Sequence, residues 1–200
     1  MPKIACIFPG QGSQYPGMGK ELAQNYREAM NIFDLANERL GIDMKKLCFE
    51  GDDEELKKTE NTQPSILTAS VAMLEVLKLK GIEPQVTAGL SLGEYSALVA
   101  SNAISFVDAV ALVKKRGKYM QEAVPAGEGT MAAVMGMERA PVMECLKMAS
   151  GYGVVEAANF NCPGQIVIAG HTKAVERACT ILKEKGAKKV IMLPVSAPFH

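Results

Sequence analysis

The chain has 200 residues, of which 48% are hydrophobic and 22% charged, the balance of an ordinary globular protein with a substantial core. Its 22 basic and 22 acidic residues cancel, so the composition offers no general attraction to nucleic acid or to an anionic membrane surface. Five cysteines without CxxC spacing indicate a reduced protein without a metal site, and no segment approaches the length of a membrane span, so we expect a cytoplasmic location.

The first part of the chain alternates strands with helices, which implies a mainly parallel α/β sheet. An acidic surface connection is expected at 51–60, and the proline of TQPS is expected near the start of a long apolar helix. The hydrophobic periodicity predicts, in chain order, a strand at 4–8, a helix over 20–40, the long helix to about residue 80, a strand at 86–90, and helices at 93–101 and 106–122.

Beyond Pro125 the order of elements changes. We predict a strand at 131–135, a helix at 140–149, strands at 154–158 and 165–169, a helix at 172–185 and a strand at 189–193. The order βαββαβ is typical of a ferredoxin-like subdomain. Residues 1–126 and 195–200 are therefore expected to form a large α/β subdomain, into which residues 127–194 are inserted.

The pentapeptide Gly89-Leu90-Ser91-Leu92-Gly93 matches GxSxG between a predicted strand and a predicted helix, which is the context of a serine nucleophile. Its glycines permit a tight turn that exposes the hydroxyl of Ser91 next to the amide of Leu92 at a helix N-terminus. The alternative is that Ser91 only caps the helix. The flanking elements favour the nucleophile.

A serine nucleophile needs a base, and His171 and His200 are the two histidines of the chain. His171 precedes a predicted helix, where a surface or capping role is expected. His200 follows a strand and the turn SAPF, which could bring its ring to the sheet edge that carries Ser91. The alternative for His200 is a frayed terminal residue.

Arg116 is the most informative charge in the sequence. At roughly 100° per residue, the apolar side chains within about 60° of it are Ala109, Leu112, Val113, Tyr119 and Met120. Lys114 and Lys118 fall on the opposite side, expected to face solvent. A guanidinium turned inward suits a carboxylate, either that of a substrate or that of an Asp or Glu in a structural ion pair.

The loop PGQGSQ follows the first strand and offers backbone amides and the side chain of Gln11 as donors for an oxyanion hole. A dinucleotide site is excluded, because GxGxxG would need glycine at Tyr15, and the phosphate-loop lysine motif is absent as well.

Six segments together resemble the malonyl-CoA:acyl-carrier-protein transacylase family, in its stand-alone form from fatty acid synthesis. They are FPGQGSQYPGMG, TQPS, GLSLGEYSAL, ALVKKRGKYMQ, NFNCPGQIVIAG and VSAPFH, which follow one another in the family's order. The resemblance implies a hydrolase-like core with helices on both faces of the sheet and a ferredoxin-like insert. It also implies malonyl-CoA as the substrate, acyl carrier protein as the partner and no bound cofactor.

The resemblance also implies roles for individual residues. Ser91 would form a malonyl ester, with His200 as base and then acid, and Arg116 would pair with the malonyl carboxylate. The oxyanion hole would consist of Gln11 and the amide of Leu92. The residues expected to line the acyl site or the cleft are Gln63, Met120, Phe199, Asn159 and Asn161, of which Phe199 resembles the malonyl-selective pattern.

The sequence departs from the family at two points. Leu90 stands where the family usually has a histidine, and family members continue well past His200, where they supply a residue that orients the catalytic imidazole. Two other functions therefore stay open. The chain could be a GxSxG thioesterase or esterase, or a catalytically impaired acyltransferase-like fragment that binds the carrier.

Overall fold

A computed structural model describes residues 3–125, 127–193, 195 and 198–200 of the protein. The chain divides into two compact units, Met1–Tyr119 and Met120–His200. The predicted subdomain limits at Ala126 and Pro194 lie outside the described residues. The assignment of 195–200 to the large subdomain stays a prediction.

In the first unit, the two strands pair in parallel, with Ala5 opposite Val86 and Phe8 opposite Gly89. This pairing and the alternation of strands and helices confirm the predicted α/β class. The elements are β1 (Ala5–Phe8), α1 (Lys20–Asn25), α2 (Arg27–Leu40), α3 (Met44–Phe49), α4 (Asp53–Lys57), α5 (Thr59–Leu79), β2 (Val86–Gly89), α6 (Leu92–Ala100) and α7 (Phe106–Glu122), of which α7 continues into the second unit.

Helix α5 is the central element of the first unit, and its apolar side chains pack into a core with Phe33, Met44 and Val113. It also buries four polar side chains completely, those of Thr62, Gln63, Ser65 and Thr68. A buried polar group needs a hydrogen-bond partner. Thr62 and Thr68 find theirs in backbone carbonyls, those of Leu56 and Pro64. Gln63 differs, because its partners are other side chains.

The second unit is an antiparallel sheet with the strand order β4-β5-β3-β6, which confirms the predicted ferredoxin-like βαββαβ order. One face of the sheet packs under the two helices through residues such as Val134, Ile168 and Leu182. The elements are β3 (Gly129–Met135), α8 (Arg139–Ala149), a 3-10 turn (Ser150–Tyr152), β4 (Val155–Cys162), β5 (Gln165–His171), α9 (Thr172–Glu184) and β6 (Lys189–Met192).

Several predicted elements were wrong in detail. The helix predicted over 20–40 is interrupted at Tyr26, where the side chain of Asn25 donates to the carbonyl of Glu21 and competes with the helical pattern. The acidic connection contains α4, because Asp52 accepts from the amide of Glu55 and caps it. Strand β4 runs four residues further than the predicted end at 158, with register shifts between Ala157 and Asn159 and between Phe160 and Cys162.

Candidate active site

Ser91 lies in the sharp turn between β2 and α6, with φ 54° and ψ −103°. A non-glycine residue pays for a positive φ with roughly 1–3 kcal/mol of strain, and such strain concentrates at functional sites. The turn has no room for a side chain at either glycine of the motif. A methyl group at Gly89 would overlap the backbone of Gly93, and one at Gly93 would overlap the carbonyl of Phe8. The GxSxG glycines are therefore required by close backbone packing.

The structure does not support a mere capping role for Ser91. The residue occupies the N-cap position of α6, but its hydroxyl makes no capping hydrogen bond. The next residue, Leu92, is the first of the helix, so its amide has no carbonyl partner within α6. The side chain of Leu92 is fully buried and fixes the position of that amide. An amide so placed is suited to stabilise an oxyanion formed at Ser91.

The guanidinium of Arg116 lies beside this hydroxyl. Its Nη2 donates to Oγ of Ser91 at 3.1 Å, and its Nη1 donates to Oε1 of Gln63 at 2.6 Å. The guanidinium carbon is 5.6 Å from the centre of the Tyr95 ring, within the range of a cation–π contact. These three partners are neutral, and among the residues that the structure describes no Asp or Glu forms an ion pair with Arg116. A carboxylate on an acyl group at Ser91 would supply the missing negative charge.

The amide of Gln63 continues the contacts away from Arg116. Its Nε2 donates to Oε1 of Gln11 at 3.1 Å, and Nε2 of Gln11 donates to Oγ1 of Thr59 at 3.3 Å. The structure thus brings together Ser91, Gln11, Gln63 and Arg116, four of the residues selected from the sequence. One amide hydrogen of Gln11 is engaged by Thr59, which leaves the second for another acceptor.

The packing of α7 against the first turn of α5 sets the position of Arg116. A methyl group at Gly117 would lie 2.7 Å from the carbonyl oxygen of Thr59 and 2.7 Å from Cα of Glu60. Only glycine allows the two helices to approach so closely, and this approach brings the guanidinium within reach of Gln63.

The helical wheel predicted that the apolar side chains around Arg116 face the interior. This is correct for Ala109 and Val113, which are buried, and wrong for two others. Leu112 and Tyr119 are 44% and 63% exposed. Lys114 was also misplaced, because it is half-buried, donates to Asn61 and forms an ion pair with Glu60. Lys118 is exposed, as predicted.

The other predicted site residues belong to the second unit. Asn159 is half-buried on β4, and Asn161 is exposed in the second register shift of that strand. Phe199 packs against the sheet face formed by Met131, Ala133, Val167 and Ala169. Met120 is half-buried near the end of α7, and His200 is exposed with φ 61°. Their roles at Ser91 stay predictions.

His171 has a structural contact in the second unit, in agreement with its predicted surface role. It occupies the N-cap position of α9 without capping the helix through its side chain. Its Nδ1 instead accepts a hydrogen bond from the amide of Val154 at 3.2 Å.

Sequence reasoning missed Thr59 and Tyr95 at the site. Each is four residues from a selected residue on a helix, Thr59 before Gln63 and Tyr95 after Ser91, and residues at this spacing share a face. The signal for Tyr95 was present in the predicted helix after Ser91. The signal for Thr59 was hidden, because the helix was expected to start near Pro64 rather than at Thr59.

An apolar cavity of about 390 Å³ lies elsewhere in the first unit, between β1 and one face of α5. Its lining includes Ile7, Tyr15 and Met73, but none of the residues grouped around Ser91. Over the described ranges, no cluster of His, Cys, Asp or Glu could hold a metal ion. Within the same ranges, every helix is too short or too polar to cross a membrane.

Comparison with known proteins gives a consistent result. The family described as acyl transferase domain matches residues 5–198. Malonyl CoA-acyl carrier protein transacylase of Bacillus subtilis is 55% identical over 201 residues, covering 100% of this chain and 63% of the relative. The crystal structure of the Clostridium perfringens protein of that name superimposes with a TM-score of 0.96 at 52% identity, covering 100% of this chain and 63% of that one.

A third similar structure shows a malonyl-transacylase in complex with a type II PKS acyl-carrier protein. It superimposes with a TM-score of 0.93 at 46% identity, covering 98% of this chain and 64% of the other. The chain thus spans a little less than two thirds of the length of these relatives.

Proposed function

Because the chain belongs to the acyl transferase domain family, we propose that it transfers the malonyl group of malonyl-CoA to the phosphopantetheine thiol of an acyl carrier protein. The observation that carries this proposal is the contact of 3.1 Å between the Arg116 guanidinium and the Ser91 hydroxyl. A serine in a nucleophile elbow supports acyl transfer, and an adjacent cation with neutral partners supports an acyl group with a carboxylate.

The first half-reaction would be attack by Oγ of Ser91 on the thioester carbonyl of malonyl-CoA. The hydroxyl proton passes to the imidazole of His200, and the C–S bond breaks as the imidazolium returns the proton to the CoA thiolate. The product is a malonyl ester on Ser91 and free CoA. The amide of Leu92 and a donor of Gln11 would hold the oxyanion of the tetrahedral intermediate.

The second half-reaction would repeat these steps with the thiol of the carrier protein as the nucleophile. His200 would remove the thiol proton, the thiolate would attack the ester, and Ser91 would recover its proton as the C–O bond breaks. The relative solved with an acyl-carrier protein supports such a protein as the acceptor. This ping-pong scheme requires no bound cofactor.

Arg116 would bind the malonyl carboxylate through two parallel N–H bonds, which a guanidinium can donate in a fixed plane. Gln63 would keep the guanidinium in that plane through the hydrogen bond that its Oε1 accepts from Nη1. We further propose that Met120, Phe199, Asn159 and Asn161 line the acyl site from the second subdomain, and that residues 195–200 act as part of the large one. A cytoplasmic location agrees with a substrate pair of soluble carriers.

The test is the detection of the acyl-enzyme by mass spectrometry of the intact protein. Incubation with malonyl-CoA is expected to add one malonyl group, and Ser91→Ala is expected to abolish the adduct, because the nucleophile of such a reaction contributes on the order of 10⁶ to the rate. An adduct of equal yield on Ser91→Ala would contradict the proposal.

The fate of the adduct separates this function from the two alternatives. Transfer to holo acyl carrier protein that outpaces hydrolysis supports the transacylase. Rapid loss to water with no transfer would identify a thioesterase. Binding of the carrier without any acyl-enzyme would identify a non-catalytic carrier-binding fragment.

A further inference from the structure

The buried amide of Gln63 determines which atoms donate and which accept in the hydrogen bonds that connect Arg116, Gln63 and Gln11. Gln63 is 0% exposed, so both ends of its amide need partners inside the protein. A guanidinium can only donate, so the atom that faces Arg116 must be the carbonyl oxygen of Gln63. The NH₂ group of Gln63 must then face an acceptor, which is Oε1 of Gln11.

The same reasoning extends the chain to Thr59. Since Oε1 of Gln11 faces Gln63, the NH₂ group of Gln11 points away and donates to the hydroxyl of Thr59. The positive charge of Arg116 therefore sets the sense of three successive bonds, and Thr59 is the acceptor at their far end. Thr59 is 5% exposed, so water has little access to replace its hydroxyl.

Thr59 is also held rigidly. It is the first residue of α5, and its carbonyl lies under Gly117 at the close approach of α5 and α7. Thr59 therefore contributes to the position of Arg116 in two ways. Its side chain ends the hydrogen-bond chain that begins at Arg116, and its backbone packs against the residue that follows Arg116.

We propose that Thr59 is a positioning residue for carboxylate recognition, which acts through Gln11 and Gln63 on the guanidinium of Arg116. The proposal rests on the proposed function of that guanidinium. Without the hydroxyl, the amide of Gln11 loses its acceptor and can rotate, and Gln63 then loses the partner that keeps its oxygen toward Arg116. The guanidinium would then bind a carboxylate less tightly, because the Arg116 side chain would lose more conformational entropy on binding.

The test compares Thr59→Val, which removes the hydroxyl at nearly constant volume, with Thr59→Ser, which keeps it. The readout is the ratio of the rates at which malonyl-CoA and acetyl-CoA acylate Ser91, measured by mass spectrometry. Thr59→Val is expected to lower this ratio about three- to tenfold, the net value of one hydrogen bond, while Thr59→Ser stays within about twofold. An unchanged ratio in a folded Thr59→Val protein would overturn the proposal.

Thr68→Val is the matched control, because it removes another buried hydroxyl of α5 that bonds only to the carbonyl of Pro64 among the described residues. It is expected to lower the melting temperature without changing the ratio. An equal drop of the ratio in Thr68→Val would show a general loosening of α5 and would contradict a specific role of Thr59. If Thr59→Val does not fold, Thr59→Ala is measured in the same way.

Calorimetric binding of malonate distinguishes failure of this proposal from failure of the proposed function. A wild-type protein that binds malonate but forms no ester would lack the transfer activity, while weaker malonate binding by Thr59→Val would still support the role of Thr59. Equal malonate affinity in wild type and Thr59→Val, or no malonate binding by wild type, would overturn it.

Discussion

The two units hold their predicted site residues by different means. In the first unit, close backbone packing at Gly93 and Gly117 and the fully buried amide of Gln63 fix Ser91 and Arg116. We therefore expect small substitutions at these positions to have large effects. In the second unit, Asn159 and Asn161 lie on a strand with two register shifts, where partly exposed side chains have more freedom. Close backbone packing and a fully buried amide are thus found together where the nucleophile and the cation meet.

The largest expected effect is that of Gly93→Ala in the first unit. Its methyl group would overlap the carbonyl of Phe8, and neither backbone can move without opening the turn at Ser91. We expect a loss of more than about 4 kcal/mol in the free energy of unfolding, which is exceptional for one substitution. Urea denaturation measures it. Gly151→Ala in the second unit meets open space and should change stability by less than about 1 kcal/mol.

Comparable losses for Gly93→Ala and Gly151→Ala would contradict the contrast between the units. A stable Gly93→Ala protein with full acylation of Ser91 would show that the elbow tolerates a side chain.

The second expected effect concerns selectivity. Arg116→Ala should slow acylation by malonyl-CoA about 30- to 150-fold, equivalent to roughly 2–3 kcal/mol for a charge-assisted bond, and leave acylation by acetyl-CoA nearly unchanged. Arg116→Lys should be intermediate, because an ammonium keeps the charge and lacks the planar pair of donors. Mass spectrometry of the acyl-enzyme in samples quenched at successive times gives both rates.

Arg177→Ala is the control from the second unit, where the guanidinium lies over the ring of Tyr152 at 5.8 Å. It removes an arginine–aromatic contact similar to that of Arg116 with Tyr95 and should leave the malonyl preference intact. Equal losses of preference in both variants would show that the effect does not depend on the position of Arg116.

Much of this arrangement could be predicted from the sequence, because its signals are local. GxSxG between a strand and a helix predicted the elbow, and a cation within an apolar arc singled out Arg116. The helix Phe106–Glu122 was predicted with its bounds. The βαββαβ order followed from alternating periodicities, since each strand or helix carries its own pattern.

The contacts between distant residues could not be predicted. Gln63 bonds to Gln11 and Arg116, 52 and 53 positions away, and nothing local encodes such a pairing. Pro64 was taken as a sign of the helix start, yet α5 begins five residues earlier, because its burial outweighs the one backbone bond that proline removes. The register shifts in β4 likewise depend on the partner strand rather than on the residues of β4 alone.

The smallest expected effect is on the pH dependence of stability, through Cys48 in the core of the first unit. Burial raises the pKa of this thiol from 9.0 to about 11. The unfolded chain therefore loses the proton at lower pH than the folded protein does, so the stabilisation is complete below pH 9 and is lost as the pH rises toward 11. At pH 10 the free energy of unfolding is lower by about 1.4 kcal/mol through this thiol than it is well below pH 9, which is the equivalent of one pKa unit.

Cys48→Ala should flatten this dependence between pH 9 and 11 when urea denaturation is repeated at each pH. Cys162 is the contrasting thiol, because it is exposed on β4 in the second unit. At pH 8 a thiol reagent should modify Cys162 in the folded protein and reach Cys48 only on unfolding. Equal modification rates would show that the core around α5 opens as readily as the surface of β4, and that the first unit lacks the rigidity by which it holds Ser91 and Arg116.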